Sequence, residues 1–221
     1  MGKITFEDVK NCEEIRTYIQ QADMSLKAIG FTEHSFAHTT KCAEVAGKLL
    51  EDLDYSKHDV DLVKIAAYMH DIGNVVNRAD HAQSGAIMAF RILDKMGMKP
   101  QDVAAIVTAI GNHDEETAFP VNAIAAAVIL ADKSDVRRSR VRNRATVHSD
   151  IHDRVNYAVE KSELELDKTA KTLTAFIEID TKISSVMDYF EIFMGRMLLC
   201  RKAADFFGLK FKLHINGSAL L

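Results

Sequence analysis

An adjacent histidine and aspartate, His70 and Asp71, stand at the end of an apolar stretch and are followed at once by Ile72 and Gly73. Alone, such a pair reads as a helix cap beside a buried core histidine. The same placement recurs along the chain, however. His38 and His81 lie where amphipathic segments begin, His113 lies just past the end of another, and Asp132 closes an apolar run. Each of these groups sits where an apolar helix starts or stops. If those ends converge at one mouth of a bundle, four imidazoles and two carboxylates form a nitrogen and oxygen set suited to iron, manganese, cobalt, nickel or zinc. One histidine of this kind is ordinarily structural; six polar groups placed in this way point to metal binding.

The elements that must hold these groups follow from apolar periodicity. Thr5 precedes a stretch in which Val9, Ile15, Ile19, Leu26 and Ile29 recur at helical intervals up to Gly30, enough for one or two helices. From Glu33, the positions Phe36, Ala43, Ala46, Leu49 and Leu50 predict a helix carrying His34 and His38 near its start. Ser56 and Asp59 have the Ser-x-x-acid form of a helix N-terminus, and residues 60–69 follow with little polar face. A polar loop from Asn74 to Asp80 leads to a helix ended by Gly97; Pro100 opens the next, and Pro120 opens the most apolar segment, residues 121–131.

The pattern changes after about residue 155. Residues 163–167 alternate polar and apolar and residues 173–179 are β-branched and aromatic, which predicts a hairpin. Ser185 and Asp188 form a capping box for a long helix closed by Gly208, and residues 209–215 alternate as a third strand. The predicted architecture is mainly α: a helical bundle over residues 1–155, then a small ββαβ (α+β) subdomain over residues 156–221 packed on it.

Composition narrows what such a site could serve. The 221 residues are 48% apolar and 27% charged, as in an ordinary globular protein. A formal net charge of −4 exerts no general pull on nucleic acid or an anionic membrane, so any basic site is local. Cys12, Cys42 and Cys200 are widely spaced without a CxxC pair, suggesting neither a disulfide framework nor a thiolate metal site but reduced thiols of a cytoplasmic protein. The N-terminal residues turn acidic at once, without a signal-peptide core, and the longest apolar run, residues 123–131, is far short of the roughly 20 that span a bilayer. Neither export nor membrane insertion is expected. Lys133, Arg137, Arg138 and Arg140 follow Asp132 on what reads as the same helix and are the candidate phosphate ligands; a solvated basic face or a dimer contact is the alternative. The run has no aromatic platform beside it, which disfavours nucleic acid as the partner.

The order His, His-Asp, Asp resembles the HD superfamily of metal-dependent phosphohydrolases. Residues 38–46 resemble its first-histidine helix, residues 62–73 its signature helix and turn, and residues 129–135 its closing aspartate segment. The resemblance runs from about Gly30 to Arg144 and implies an HD-domain helical bundle. It implies further that His38, His70, Asp71 and Asp132 hold a first metal, with His81 and His113 the added ligands of the two-metal branch and Asp71 bridging both ions. The alternative is a one-metal site in which His81 and His113 act on substrate. Asp71, His81 and His113 would then stand at the reacting centre, where a metal-bound hydroxide attacks phosphorus. His34 is a rival to His38 and reads better as a neighbour that orients a ligand. Two departures matter. Asn74 stands where many members have lysine, so that cation must come from elsewhere, and no Gly-Tyr-Pro follows His113, which sets the chain apart from the cyclic-dinucleotide branch.

These readings favour a cytoplasmic hydrolase of a small phosphate ester, a nucleotide first, acting as a phosphomonoesterase or phosphodiesterase. Its cofactor is a divalent transition metal, two ions of iron or manganese foremost, with cobalt, nickel or zinc also fitting. A homodimer is the default assembly. An HD-type di-iron oxygenase and a non-catalytic metal-binding signalling module share the same ligands.

Overall fold

Helices begin where the sequence supplies oxygen-bearing caps. In the computed structural model, which describes residues 4–220, Thr5 and Asp8 form a capping box that opens α1 (Phe6–Lys10), and α2 (Glu13–Ala28) follows. The Met1, Gly2 and Lys3 part of the N-terminal reading lies outside the described residues. Ser35 accepts the Ala37 N–H and starts α3 (Phe36–Asp52). His34 therefore precedes the helix, where the sequence had placed it inside, because the Glu33 carboxylate takes the Ser35 N–H at 2.7 Å and leaves Ser35 extended. Ser56 caps α4 (Lys57–Met69) through the Asp59 N–H at 3.1 Å. Next come α5 (His81–Lys95), α6 (Pro100–Gly111), with Pro100 in its first turn, and α7 (Ala123–Lys133). Asn122 accepts the Ala125 N–H at 2.7 Å, so burial starts with Ile124; Val121, expected in the apolar segment, is 46% exposed.

The chain divides into two compact units between Asp132 and Lys133. In the first, α4 packs against α3 and α6, α5 packs against α6, and α1 packs on α4 with the Phe6 ring edge-on to Tyr68 at 5.8 Å. The end of α4 has no exposed face, with Ile65, Ala66, Ala67, Tyr68 and Met69 all buried. Each large apolar side chain removed from water this way contributes about 1.5–3 kcal/mol. That burial fixes the C-terminal end of α4, and with it His70 and Asp71.

A short 3-10 turn, Ile72–Val75, follows, and α2 and α5 both pack on it. Gly73 is needed here for space, since it is not among the left-handed glycines. A Cβ at Gly73 would lie 2.0 Å from the His81 carbonyl oxygen and 2.5 Å from the Gly85 nitrogen. The start of α5 thus rests directly on the turn that carries Asp71.

The second unit holds 3-10 turns at Arg138–Arg140 and Arg144–His148, then α8 (Ile151–Ala158). Its sheet runs β1 (Val159–Asp167), β2 (Thr172–Ile179), β3 (Lys210–Ile215) and β4 (Ser218–Ala219), in that order. β1 and β2 are an antiparallel hairpin, and α9 (Val186–Phe206) carries the chain across so that β3 pairs parallel to β2. The ββαβ expectation holds, with a two-residue β4 added after the turn at Asn216 and Gly217. The mainly α chain with a small α+β part is as the sequence predicted. The arginine run departs from expectation, because α7 stops at Lys133 instead of continuing. Asp135, 1% exposed, accepts Arg137 Nε at 3.0 Å on its carboxylate and Arg140 Nη1 at 2.8 Å on its carbonyl, and so bends the chain into a loop. No helix among the described residues is long and apolar enough to cross a membrane.

Two glycine substitutions should behave oppositely in thermal melts. Gly73→Ala drives a methyl into backbone atoms and is expected to cost at least about 1–3 kcal/mol. Gly195→Ala, exposed within α9 and with open space around it, is expected to stabilise by about 0.5–1 kcal/mol. Equal effects at the two positions would contradict the packing described here.

Candidate metal centre

A helix leaves its last carbonyls without intrahelical partners. His70, the C-cap of α4, donates from Nδ1 to the Ala67 carbonyl at 2.7 Å, and His113, just past α6, donates from Nδ1 to the Ile110 carbonyl at 2.6 Å. His81, the first residue of α5, does the same to the Arg78 carbonyl at 3.1 Å. A carbonyl can only accept, so each Nδ1 carries the hydrogen and each ring turns its Nε2 inward, as a lone pair whenever that ring is neutral. All three rings are buried, as is His38.

These lone pairs meet two carboxylates in two groups. In the first, His38 Nε2 lies 3.3 Å from His70 Nε2, 3.6 Å from Asp71 Oδ2 and 3.4 Å from Asp132 Oδ1. His70 Nε2 lies 3.1 Å from Asp71 Oδ2 and 3.7 Å from Asp132 Oδ1. In the second, Asp71 Oδ1 lies 3.5 Å from His81 Nε2 and 3.9 Å from His113 Nε2, and the two imidazole nitrogens are 3.1 Å apart. Donors held at about 2.1 Å by one ion lie about 3.4 Å apart in a tetrahedron and about 3.0 Å apart as octahedral neighbours. Both groups fit a metal ion on that measure. The chemistry of the donors agrees, because two imidazole lone pairs facing each other at 3.1 Å repel unless a cation lies between them. Asp71 belongs to both groups, one oxygen to each.

Asp71 is held by a residue that the sequence reading took only as a lost lysine. Asn74 donates from Nδ2 to Asp71 Oδ1 and to the Asp71 carbonyl, both at 2.9 Å, and is itself buried. Where a lysine would bring charge, this asparagine fixes the Asp71 carboxylate. The signal was present in the sequence as an amide three residues after the aspartate, on the same turn. Cys42 was also missed as a neighbour: one helical turn after His38, its Sγ lies 3.7 Å from that ring. His34 stacks edge-on to His38 with centroids 5.4 Å apart and donates from Nδ1 to the Thr32 carbonyl at 2.8 Å, so it borders the centre. Arg78, not foreseen at all, reaches His81. Of the expected phosphate ligands, Lys133 is buried, Arg137 and Arg140 are bound to Asp135, and Arg138 donates from Nε to the Tyr157 carbonyl at 2.6 Å. All four belong to the second unit.

Charge explains how six polar groups are tolerated in a buried place. Burial pushes the Asp71 carboxyl up, but His70, with His34 and His81 adding to it, holds it well below the usual range. Burial pushes His70 down, yet Asp71 and Asp132 outweigh it and raise it to about 8. Burial lowers His81, and the Arg78 guanidinium lowers it further against the pull of Asp71 and Asp114. Without a metal, a proton on His70 supplies the positive charge that the carboxylates require.

Residues 35–139 match the family model of the HD domain. Over these residues the chain is similar to the HD domain of a superfamily of metal-dependent phosphohydrolases, and the clustered histidines and aspartates of the centre lie within the matched range. A relative found by sequence is an uncharacterized protein of Methanocaldococcus jannaschii, MJ1020, 23% identical over 186 residues that cover 74% of this chain and 71% of that protein.

A proton that holds the place of a cation must leave when a cation binds. Below the raised value of about 8 for His70, divalent-metal affinity is expected to climb with pH by up to about tenfold per unit, and to level off above it. Calorimetry of manganese binding in buffers of different ionisation enthalpy would count the protons released. Affinity independent of pH from about 6 to 9, with no proton release, would contradict this account of the metal-free centre.

Proposed function

We propose that the protein is a cytoplasmic phosphohydrolase that cleaves a small phosphate ester, a nucleotide first, using two divalent transition-metal ions of the iron or manganese type. The observation that supports this most is the division of Asp71, with Oδ2 among His38 and His70 and Oδ1 among His81 and His113. When bound, such ions supply an activated water and neutralise charge developing on the phosphoryl oxygens.

The chain's own residues do the rest. His38, His70, Asp71 and Asp132 would hold one ion; His81, His113 and Asp71 would hold the other. The carbonyls of Ala67, Arg78 and Ile110 fix the orientation of three of the rings before any ion arrives. Asn74 keeps Asp71 Oδ1 turned towards His81 and His113. Burial of all four imidazoles excludes bulk water and keeps each electrostatic contact strong. Lys133, Arg137, Arg138 and Arg140 remain the cations proposed to meet the substrate's phosphate.

Metal-loaded protein is expected to release phosphate from at least one member of a panel of nucleoside monophosphates, cyclic nucleotides and sugar phosphates. Asn74→Ala should lower that activity by about 10–100-fold with the fold intact by circular dichroism. Substrate-dependent oxygen uptake by the iron form, without phosphate release, would replace the hydrolase reading with the oxygenase one. Protein that retains no metal would support the signalling module.

A further inference from the structure

The guanidinium of Arg78 lies in the half of the centre built from His81 and His113. Its Nη1 is 3.3 Å from His81 Nε2 and 3.4 Å from Asn74 Oδ1. His81 gives its only ring hydrogen to the Arg78 carbonyl, so Nε2 can only accept, and the group donating to it is the arginine side chain. One residue therefore meets both nitrogens of the same ring. That Nε2 is also the atom facing His113 Nε2 at 3.1 Å and Asp71 Oδ1 at 3.5 Å.

The side chain is placed, not adrift. Its guanidinium lies over the Phe31 ring, 5.4 Å from the centroid, and the residue is half-buried. Arginine keeps its charge at any pH a protein survives, so this contact does not titrate away. A lone pair that accepts an arginine N–H is not available to a metal ion, and a dication beside a guanidinium meets like charge. In the other half, His38 Nε2 faces His70 Nε2, Asp71, Asp132 and Cys42 Sγ, and His70 Nε2 faces Asp71 and Asp132. The half built from His81 and His113 thus carries a permanent cation against one of its donor atoms.

We propose that Arg78 competes with the second metal ion for His81, so that the His81 and His113 half fills only when the guanidinium turns away from Nε2. Arg78 is in this sense a positioning residue that sets second-ion affinity; the inference rests on the two-ion reading given above. Arg78 also brings a cation within 3.4 Å of Asn74, which stands where many members have lysine.

The test is calorimetric titration of manganese into metal-free full-length wild type, Arg78→Ala and Arg78→Gln, with metal per chain counted by elemental analysis. Wild type is expected to show one tight and one weaker ion. Arg78→Ala should bind the second about tenfold or more tightly than wild type and leave the first unchanged. Arg78→Gln, which keeps an N–H donor but no charge, should fall between them. Two ions of unchanged affinity in all three proteins would overturn the competition alone. A single ion in all three, at any manganese concentration, would overturn the two-ion reading and this inference with it. Weaker second-ion binding in Arg78→Ala would show the arginine to be a support for the site instead of a competitor.

Discussion

One buried carboxylate, Asp71, faces imidazoles from both of its oxygens, and the first unit is built around making that tolerable. A carboxylate taken out of water without partners costs several kcal/mol. Here the cost is offset by the charge of His70, by the Asn74 amide and by the histidines beyond Oδ1. The same contacts that satisfy the charge also leave the donors at separations suited to cations. Stability and metal affinity are thus tied to the same few atoms.

Packing places that carboxylate. α4 is buried on all sides in its last turns, so its end cannot move without opening the core. Gly73 then lets the start of α5 lie against the turn after Asp71, which brings His81 within reach of Oδ1. The histidines at helix ends satisfy carbonyls that a helix cannot satisfy itself, so their ring orientation comes from the helix terminus and not from the ion. Arg78 adds beside His81 a positive charge that the ligand set alone does not contain.

Much of this was legible in the sequence, for identifiable reasons. Apolar runs that stop at His70, His113 and Asp132 reveal where helices end, and capping signals at Ser56 and Ser185 were each realised as side-chain caps. The convergence of those ends could be inferred only from their pattern and from family resemblance, since no residue spacing encodes a distance between helices. The partners of the ligands were harder. Asn74 read as a lost lysine because its amide acts through a local turn geometry, and Arg78 sat in a stretch that read simply as a polar loop. In the second unit, the arginine run read as a helix because nothing in the sequence announces that Asp135 will be buried and gather two arginines. α8 was likewise unannounced, being eight residues long with few apolar positions.

The account depends most on Asp71 serving both donor groups at once. Metal per chain, measured after saturation and gel filtration for wild type, His81→Ala and Asp71→Ala, tests that directly. Two ions in wild type, one in His81→Ala and none retained by a folded Asp71→Ala are the predicted results. An Asp71→Ala protein that still holds two ions would contradict the account.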